Sequence, residues 1–205
     1  MKLNKKYHKT MKLIGILGAG HIGKAAATRF LANDFQVLIS NSKGPESLTD
    51  IVSQLGIGAK AVTAAEATAA DIILVAVPWT KVKDLTELTD WNGKIVIDAT
   101  NRLEYGAGIE DGGLASSEVV QNYLPGAKVV KAMNTLSAKI LAADPFVGNG
   151  KRVLFISGDD KDAKAIVSGI VSKIGFAPID LGTLAAGGRL QQFNWPLNSQ
   201  NFIKL

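Results

Sequence analysis

Cysteine is absent from this chain of 205 residues, and histidine occurs only as His8 and His21. No disulfide framework is possible, which fits a reducing, cytoplasmic setting. Two histidines and no thiol cannot build a Cys- or His-based zinc centre, so no metal site is expected. A Ser-His-Asp triad would have to draw on His21, which lies inside a glycine-rich turn and is badly placed for it. The longest apolar run, Ile72 to Val77, is far too short to cross a bilayer as a helix, and no membrane association is expected. Acidic charge is missing at the start of the chain, where Lys2, Lys5, Lys6, Lys9 and Lys12 stand with no Asp or Glu among them. The remaining Lys and Arg (23 less these five) balance the 18 Asp and Glu. The net charge of +5 therefore belongs to a leader and marks no nucleic-acid surface. Residues 1–11 are expected to be that leader, disordered and without the apolar stretch of a signal peptide, with Met11 as an alternative start. Residues 12–205, in a chain that is 47% hydrophobic, are expected to form one domain with a short C-terminal extension.

What the chain does contain is Gly18-Ala19-Gly20-His21-Ile22-Gly23, set between two different local patterns. Before it, Lys12 to Leu17 is a β-prone run; after it, Lys24 to Leu31 is alanine-rich with helical spacing. Among 21 glycines such a spacing alone means little, but a strand-to-helix junction is the context a dinucleotide fingerprint requires. Gly18 serves the tight turn, Gly20 the approach of a pyrophosphate, and Gly23 the packing of helix on strand. The N–H groups at the helix start, including those of His21 and Ile22, are candidates to hold the anion. The next strand, Gln36 to Ile39, ends in Ser40-Asn41-Ser42-Lys43-Gly44-Pro45. An NAD site normally carries a carboxylate there for the ribose 2′-hydroxyl. Two hydroxyls, an amide and an ammonium suit a 2′-phosphate instead, so NADP(H) is the expected cofactor. The same residues would also make an ordinary polar turn.

Further along, helical patterns (Glu46–Leu55, Ala64–Ala70, Trp79–Leu88, Ser117–Leu124, Lys161–Ile174) alternate with apolar runs. Those runs are Ile72–Val77, Lys94–Asp98, Lys128–Ala132, Val153–Ile156 and Pro178–Asp180, with a glycine-rich loop from Tyr105 to Gly113. Alternation of this kind predicts an α/β, doubly wound and mostly parallel sheet, a Rossmann fold. Ligands of such sheets lie off the carboxyl ends of the strands. Here those ends are Val77-Pro78-Trp79, Asp98-Ala99-Thr100-Asn101 and Lys131-Ala132-Met133-Asn134-Thr135. Any one of them could be loop chemistry, but three converging beside a phosphate loop outline a cleft. Asp98 is better placed to cap backbone N–H groups than to act as a base.

These stretches, with Ser157-Gly158-Asp159-Asp160 and Leu181 to Gly187 followed by Arg189-Leu190, resemble the coenzyme F-420-dependent NADP oxidoreductase family. They are also similar to the cytoplasmic NADPH-oxidising domain of six-transmembrane metalloreductases. The resemblance runs from about residue 11 to 190 and implies NADPH along Gly18–Gly23 and Ser40–Lys43. It implies the nicotinamide near Val77, Pro78, Trp79, Thr100, Asn101, Met133 and Asn134, facing a flavin- or deazaflavin-like hydride acceptor, with Asn134 and Thr135 positioning the reacting rings. The archaeal deazaflavin enzymes carry a histidine where this chain has Asn134. Hydride transfer between two such rings needs little acid–base help, because both rings carry the chemistry. Two alternatives stay open: an imine or ketone reductase resembling pyrroline-5-carboxylate reductase, and a non-catalytic NADPH sensor. The family resemblance also implies a homodimer, with Leu184, Leu190, Phe193 and Trp195 either meeting the partner, completing the cleft or packing on their own sheet.

Overall fold

A computed structural model describes residues 13–103 and 112–205. The leader at 1–11 and most of the loop expected from Tyr105 to Gly113 lie outside the described residues. The first half alternates strand and helix: β1 (Leu13–Leu17), α1 (His21–Leu31), β2 (Gln36–Ser40), α2 (Thr49–Leu55), β3 (Ala59–Ala61), α3 (Ala64–Ala67) and β4 (Ile72–Val75). It continues with β5 (Ile95–Asp98), α4 (Ser116–Tyr123), β6 (Lys128–Lys131), α5 (Ala138–Ala142), β7 (Phe146–Val147) and β8 (Gly150–Gly158). The chain ends with α6 (Lys161–Lys173), β9 (Ala177–Asp180), a single turn α7 (Arg189–Gln191) and β10 (Ile203–Lys204). Strands β3-β2-β1-β4-β5-β6 lie side by side in that order, all parallel. This is the doubly wound order, and its direction reverses between β1 and β4.

The continuous apolar runs are explained by burial on both faces. Along β4, Ile72 and Leu74 enter the core shared with α1 and α6, while Ile73 and Val75 enter the opposite one with Trp91, Val120 and Leu124. Successive residues of a strand point to opposite faces, so each must be apolar when helices cover both. In β6 the same rule sends Val129 one way and Val130 the other. Helix α6 is capped by Asp160, whose Oδ1 accepts from the Ala163 N–H at 2.8 Å.

One helical expectation fails for an identifiable reason and another is met in part. Trp79–Leu88 forms only 3₁₀ turns, at Trp79–Lys81 and Lys83–Leu85. Its buried residues Val82 and Leu85 are three apart, the 3₁₀ repeat, and Trp91 anchors the segment by donating Nε1–H to the Leu85 carbonyl at 2.9 Å. The stretch from Pro45 likewise opens as a 3₁₀ turn (Pro45–Leu48) before α2.

The last strands depart from simple winding. β8 runs antiparallel to β6, pairing Gly158 with Val130 and Ser157 with Lys131. Its first seven residues therefore continue past the carboxyl end of β6, at about 3.3 Å per residue. There they pair with β7, β9 and β10. β8 thus stands as a wall above the edge where the strands of the parallel sheet end.

Candidate active site

The site begins at the switch point between β1 and β4. Gly18 has φ of +111°, and a Cβ there would collide with the Ala76 carbonyl, so only glycine turns the chain this tightly. A Cβ on Gly23 would strike the Gly18 carbonyl oxygen, which is how α1 comes to lie against β1. Gly20 differs from both, since a Cβ there would meet nothing within 4 Å. Its lack of a side chain is not required by the fold and leaves room for a ligand. Helix α1 has no side-chain cap and no acidic residue in its first turn, so its free N–H groups and positive dipole end face outward. His21 is exposed and Ile22 half-buried at that end.

The turn after β2 divides its work among its residues. Ser40 is 1% exposed and its hydroxyl donates to the Ile16 carbonyl at 3.0 Å. Its hydroxyl thus fastens β2 to β1. Asn41 accepts from the Lys43 N–H at 2.9 Å and also contacts Ser47 Oγ, forming an Asx turn. That turn holds Ser42 and Lys43 exposed beyond the carboxyl end of β2. An uncapped helix N-terminus beside an exposed ammonium is fitted chemically to a pyrophosphate and a 2′-phosphate, with the Glu46 carboxylate standing at the far end of the turn, against Gly44.

The ends of β4 and β5 supply one face. Val77 and Trp79 are half-buried and Pro78 is exposed, with the Arg102 guanidinium 5.8 Å from the centre of a Trp79 ring. Asp98, however, is sealed. It is fully buried, accepts from the Thr100 N–H at 2.9 Å and Oγ1–H at 2.7 Å, and meets Lys131 Nζ at 2.9 Å. Lys131 is equally buried and also donates to the Thr100 carbonyl at 2.9 Å. Asp98 is thus the capping residue expected, with an ion-pair partner that the sequence did not reveal. Thr100 consequently turns its side-chain hydroxyl toward Asp98.

Three residues at the end of β6 also point inward. Met133 is fully buried among core residues and has φ of +63°, a left-handed conformation costly for a non-glycine residue. Thr135 is 2% exposed. Asn134 is 3% exposed and its amide is fully engaged: Nδ2 donates to Asn101 Oδ1 at 3.1 Å and to the Gln191 carbonyl at 2.7 Å. Its Oδ1 accepts from Gln191 Nε2 at 3.3 Å, and Asn101 Nδ2 donates to the Asn134 carbonyl at 2.9 Å. Met133, Asn134 and Thr135 thus belong to a buried scaffold behind Asn101, and Asn134 spends its amide on Asn101 and Gln191. Gln191 is the residue that sequence reasoning missed, because nothing local to Arg189–Gln191 signals a partner 57 positions away.

An open helix start at the switch point of a doubly wound sheet, with the turn of the exposed Lys43 beside it, defines a dinucleotide-binding Rossmann protein of the NADP type. Residues 13–102 match the family described as NADP oxidoreductase, coenzyme F420-dependent. That match covers less than half of the chain, and the family it points to is one of NADP-dependent oxidoreductases. Metalloreductase STEAP3 of Rattus norvegicus is 32% identical over 186 residues, 87% of this chain but 35% of the relative. The chain thus spans about a third of that curated relative. A hypothetical protein from Sinorhizobium meliloti, solved by crystallography, is 46% identical with a TM-score of 0.89, covering 98% of this chain and 100% of the other. A structure from Arthrobacter sp. FB24, named as an F420-dependent NADP-reductase, is 24% identical with a TM-score of 0.73 over 87% of this chain and 89% of its own, and shows the fold. Among the described residues no helix is long and apolar enough to cross a membrane, and no cluster of His, Asp and Glu is arranged to hold a metal.

Proposed function

We propose that this protein binds NADPH along Gly18–Gly23 and Ser42–Lys43 and passes hydride to a planar, flavin- or deazaflavin-type acceptor beside Val77, Pro78, Trp79 and Asn101. The observation that carries the acceptor class is the sealing of Asp98. Its carboxylate is fully buried, bonded on one oxygen by Thr100 and on the other by Lys131. The strand end best placed for an acid or base therefore holds none that a substrate could reach. A ketone or imine needs a proton as well as a hydride, whereas a flavin ring stabilises its own reduced form.

The nicotinamide supplies the hydride when bound, and the chain's own residues do the rest. The α1 N–H groups hold the diphosphate, and Lys43 and Ser42 neutralise and bond the 2′-phosphate. Trp79 and Pro78 offer an apolar face on which flat rings can lie. Asn101, fixed from behind by Asn134, presents the remaining polar edge. Transfer is accelerated by holding two rings at contact distance, with no proton moved by the protein.

Turnover of NADPH with FMN, riboflavin, a deazaflavin and a quinone, followed at the nicotinamide absorbance band, tests this reading. NADPH oxidation with at least one of these acceptors is expected. Efficient reduction of simple ketones or imines, with every flavin, deazaflavin and quinone ignored, would overturn it in favour of an imine reductase. NADPH binding without any turnover would leave a sensor. We further propose a homodimer using Leu190 and Trp195, which are exposed, whereas Leu184 is buried in its own core. Light scattering at micromolar concentration should give twice the chain mass, and a monomer rejects the assembly.

A further inference from the structure

We infer that Gln191 is a positioning residue for hydride transfer, acting through Asn134 on Asn101; this rests on the nicotinamide lying at the β4–β5 strand ends as proposed above. Gln191 is fully buried and its amide has every group matched. Nε2 donates to Asn134 Oδ1 at 3.3 Å and to the Phe155 carbonyl at 3.1 Å, and Oε1 accepts from the Ser157 hydroxyl. Its own carbonyl receives Asn134 Nδ2 at 2.7 Å. One side chain therefore bridges the wall of β8, through Phe155 and Ser157, to the loop after β6.

The loop it grips is one that would not hold its shape alone. Met133, immediately before Asn134, sits at φ of +63°, and strained residues of this kind persist only where their surroundings over-determine them. The surroundings here come from the C-terminal segment. Besides Gln191, Asn198 Nδ2 donates to the Asn134 carbonyl at 3.3 Å and the Ser199 N–H donates to the Thr135 carbonyl at 2.8 Å. The Gln192 side chain accepts from the Ser116 N–H at 2.6 Å, tying the same segment to the start of α4.

The consequence reaches the cleft through a single pair. Asn134 and Asn101 exchange bonds in both directions, side chain to side chain at 3.1 Å and side chain to carbonyl at 2.9 Å. Asn101 is only half-buried, so it is the member of the network that faces outward. If Gln191 loses its amide, Asn134 Oδ1 loses its donor and the Asn134 amide is held from its Nδ2 side only, by the Gln191 carbonyl and Asn101, so Asn101 is aimed less firmly. The phosphate contacts at Gly20 and Lys43 lie on other loops and are untouched. A positioning role thus predicts a fall in kcat at nearly unchanged NADPH affinity.

The test uses the whole protein and three variants, Gln191→Leu, Gln191→Glu and Ser157→Ala. Two readouts are taken: fluorescence of bound NADPH, which reports immobilisation of the nicotinamide without any acceptor, and turnover with FMN. Gln191→Leu should lower kcat about tenfold or more and reduce the fluorescence of bound NADPH, with its Kd within about twofold of wild type. Ser157→Ala, which removes one bond to Gln191 and leaves the bonds to Asn134, should show a smaller fall. In Gln191→Glu the carboxylate faces two acceptor oxygens, so its turnover should recover relative to wild type as pH falls and a carboxyl proton replaces one donor. A Gln191→Leu variant that keeps both readouts per folded molecule while losing only thermal stability overturns the inference. So does a Gln191→Glu variant with no recovery on acidification. Should Gln191→Leu fail to fold, the other two variants decide. Should the wild type ignore FMN, the acceptor reading fails on its own, and the fluorescence of bound NADPH still decides the role of Gln191.

Discussion

Replacing Lys131 by Met tests the buried pair on which the β5–β6 end of the cleft is built. Lys131 and Asp98 are both fully buried, 2.9 Å apart, on neighbouring strands in register. Methionine fills most of the lysine volume, so packing changes little and the loss is electrostatic. Asp98 keeps its two bonds from Thr100 but loses its counter-charge, and the Thr100 carbonyl loses a donor. Stranding one member of a buried pair costs about 3–5 kcal/mol. For a domain of this size each kcal/mol moves Tm by roughly 2–4 °C, so a fall of about 6–20 °C is expected. Adding Asp98→Asn removes the buried charge while keeping an acceptor for Thr100. The double variant should therefore recover part of the loss, giving a coupling of about 1–3 kcal/mol between the two positions. Urea unfolding followed by far-ultraviolet circular dichroism measures both, and the m-value should not change. A Lys131→Met protein within about 0.5 kcal/mol of wild type would refute the reasoning. So would a double variant less stable than the single one, because the cost could not then be the unpaired charge.

The other predictions concern the nucleotide site and the acid limb. Lys43→Glu should reverse a preference for NADPH over NADH, since a lost charge-assisted phosphate contact costs about 1.5–3 kcal/mol and the new carboxylate repels the phosphate; calorimetric titration with both nucleotides decides. Gly20→Ala should fold with unchanged Tm yet bind NADPH more weakly, because its Cβ meets nothing in the protein. Gly23→Ala should lose stability itself, because its Cβ strikes the Gly18 carbonyl. Equal thermal melts for those two variants would contradict this division of roles. The Asp160 carboxyl is held below the ordinary carboxylate range, first by the Ala163 N–H and then by Lys128. A group with a lowered folded-state pKa contributes stability above its unfolded value, near 4, and loses it as pH falls through the lowered value. Asp160→Ala should therefore cost about 1 kcal/mol at neutral pH, the usual worth of an N-cap, and the difference from wild type should close on acidification. A difference independent of pH would show that the carboxylate charge is not involved.

Much of this protein is legible without coordinates because the deciding signals are local. Gly18, Gly20 and Gly23 carry their meaning in spacing and in the strand and helix on either side, and the alternation of apolar runs with helical patterns implies the parallel order around β1 and β4. The turn after β2 is equally local, as one Asx bond over two residues shapes it. The tertiary structure decided what depends on distant partners. Asp98 reads as a strand-end acid until Lys131, 33 positions on, closes it. Asn134 reads as a positioner of the reacting rings, and only the fold shows its amide bonded to Gln191, 57 positions on. Trp79–Leu88 reads as a helix until the burial of Val82, Leu85 and Trp91 imposes a tighter repeat. A side chain's hydrogen-bonding capacity is written in the sequence. Which donor or acceptor satisfies it is a property of the folded chain, and that choice separates the residues facing the cleft from those that hold it in shape.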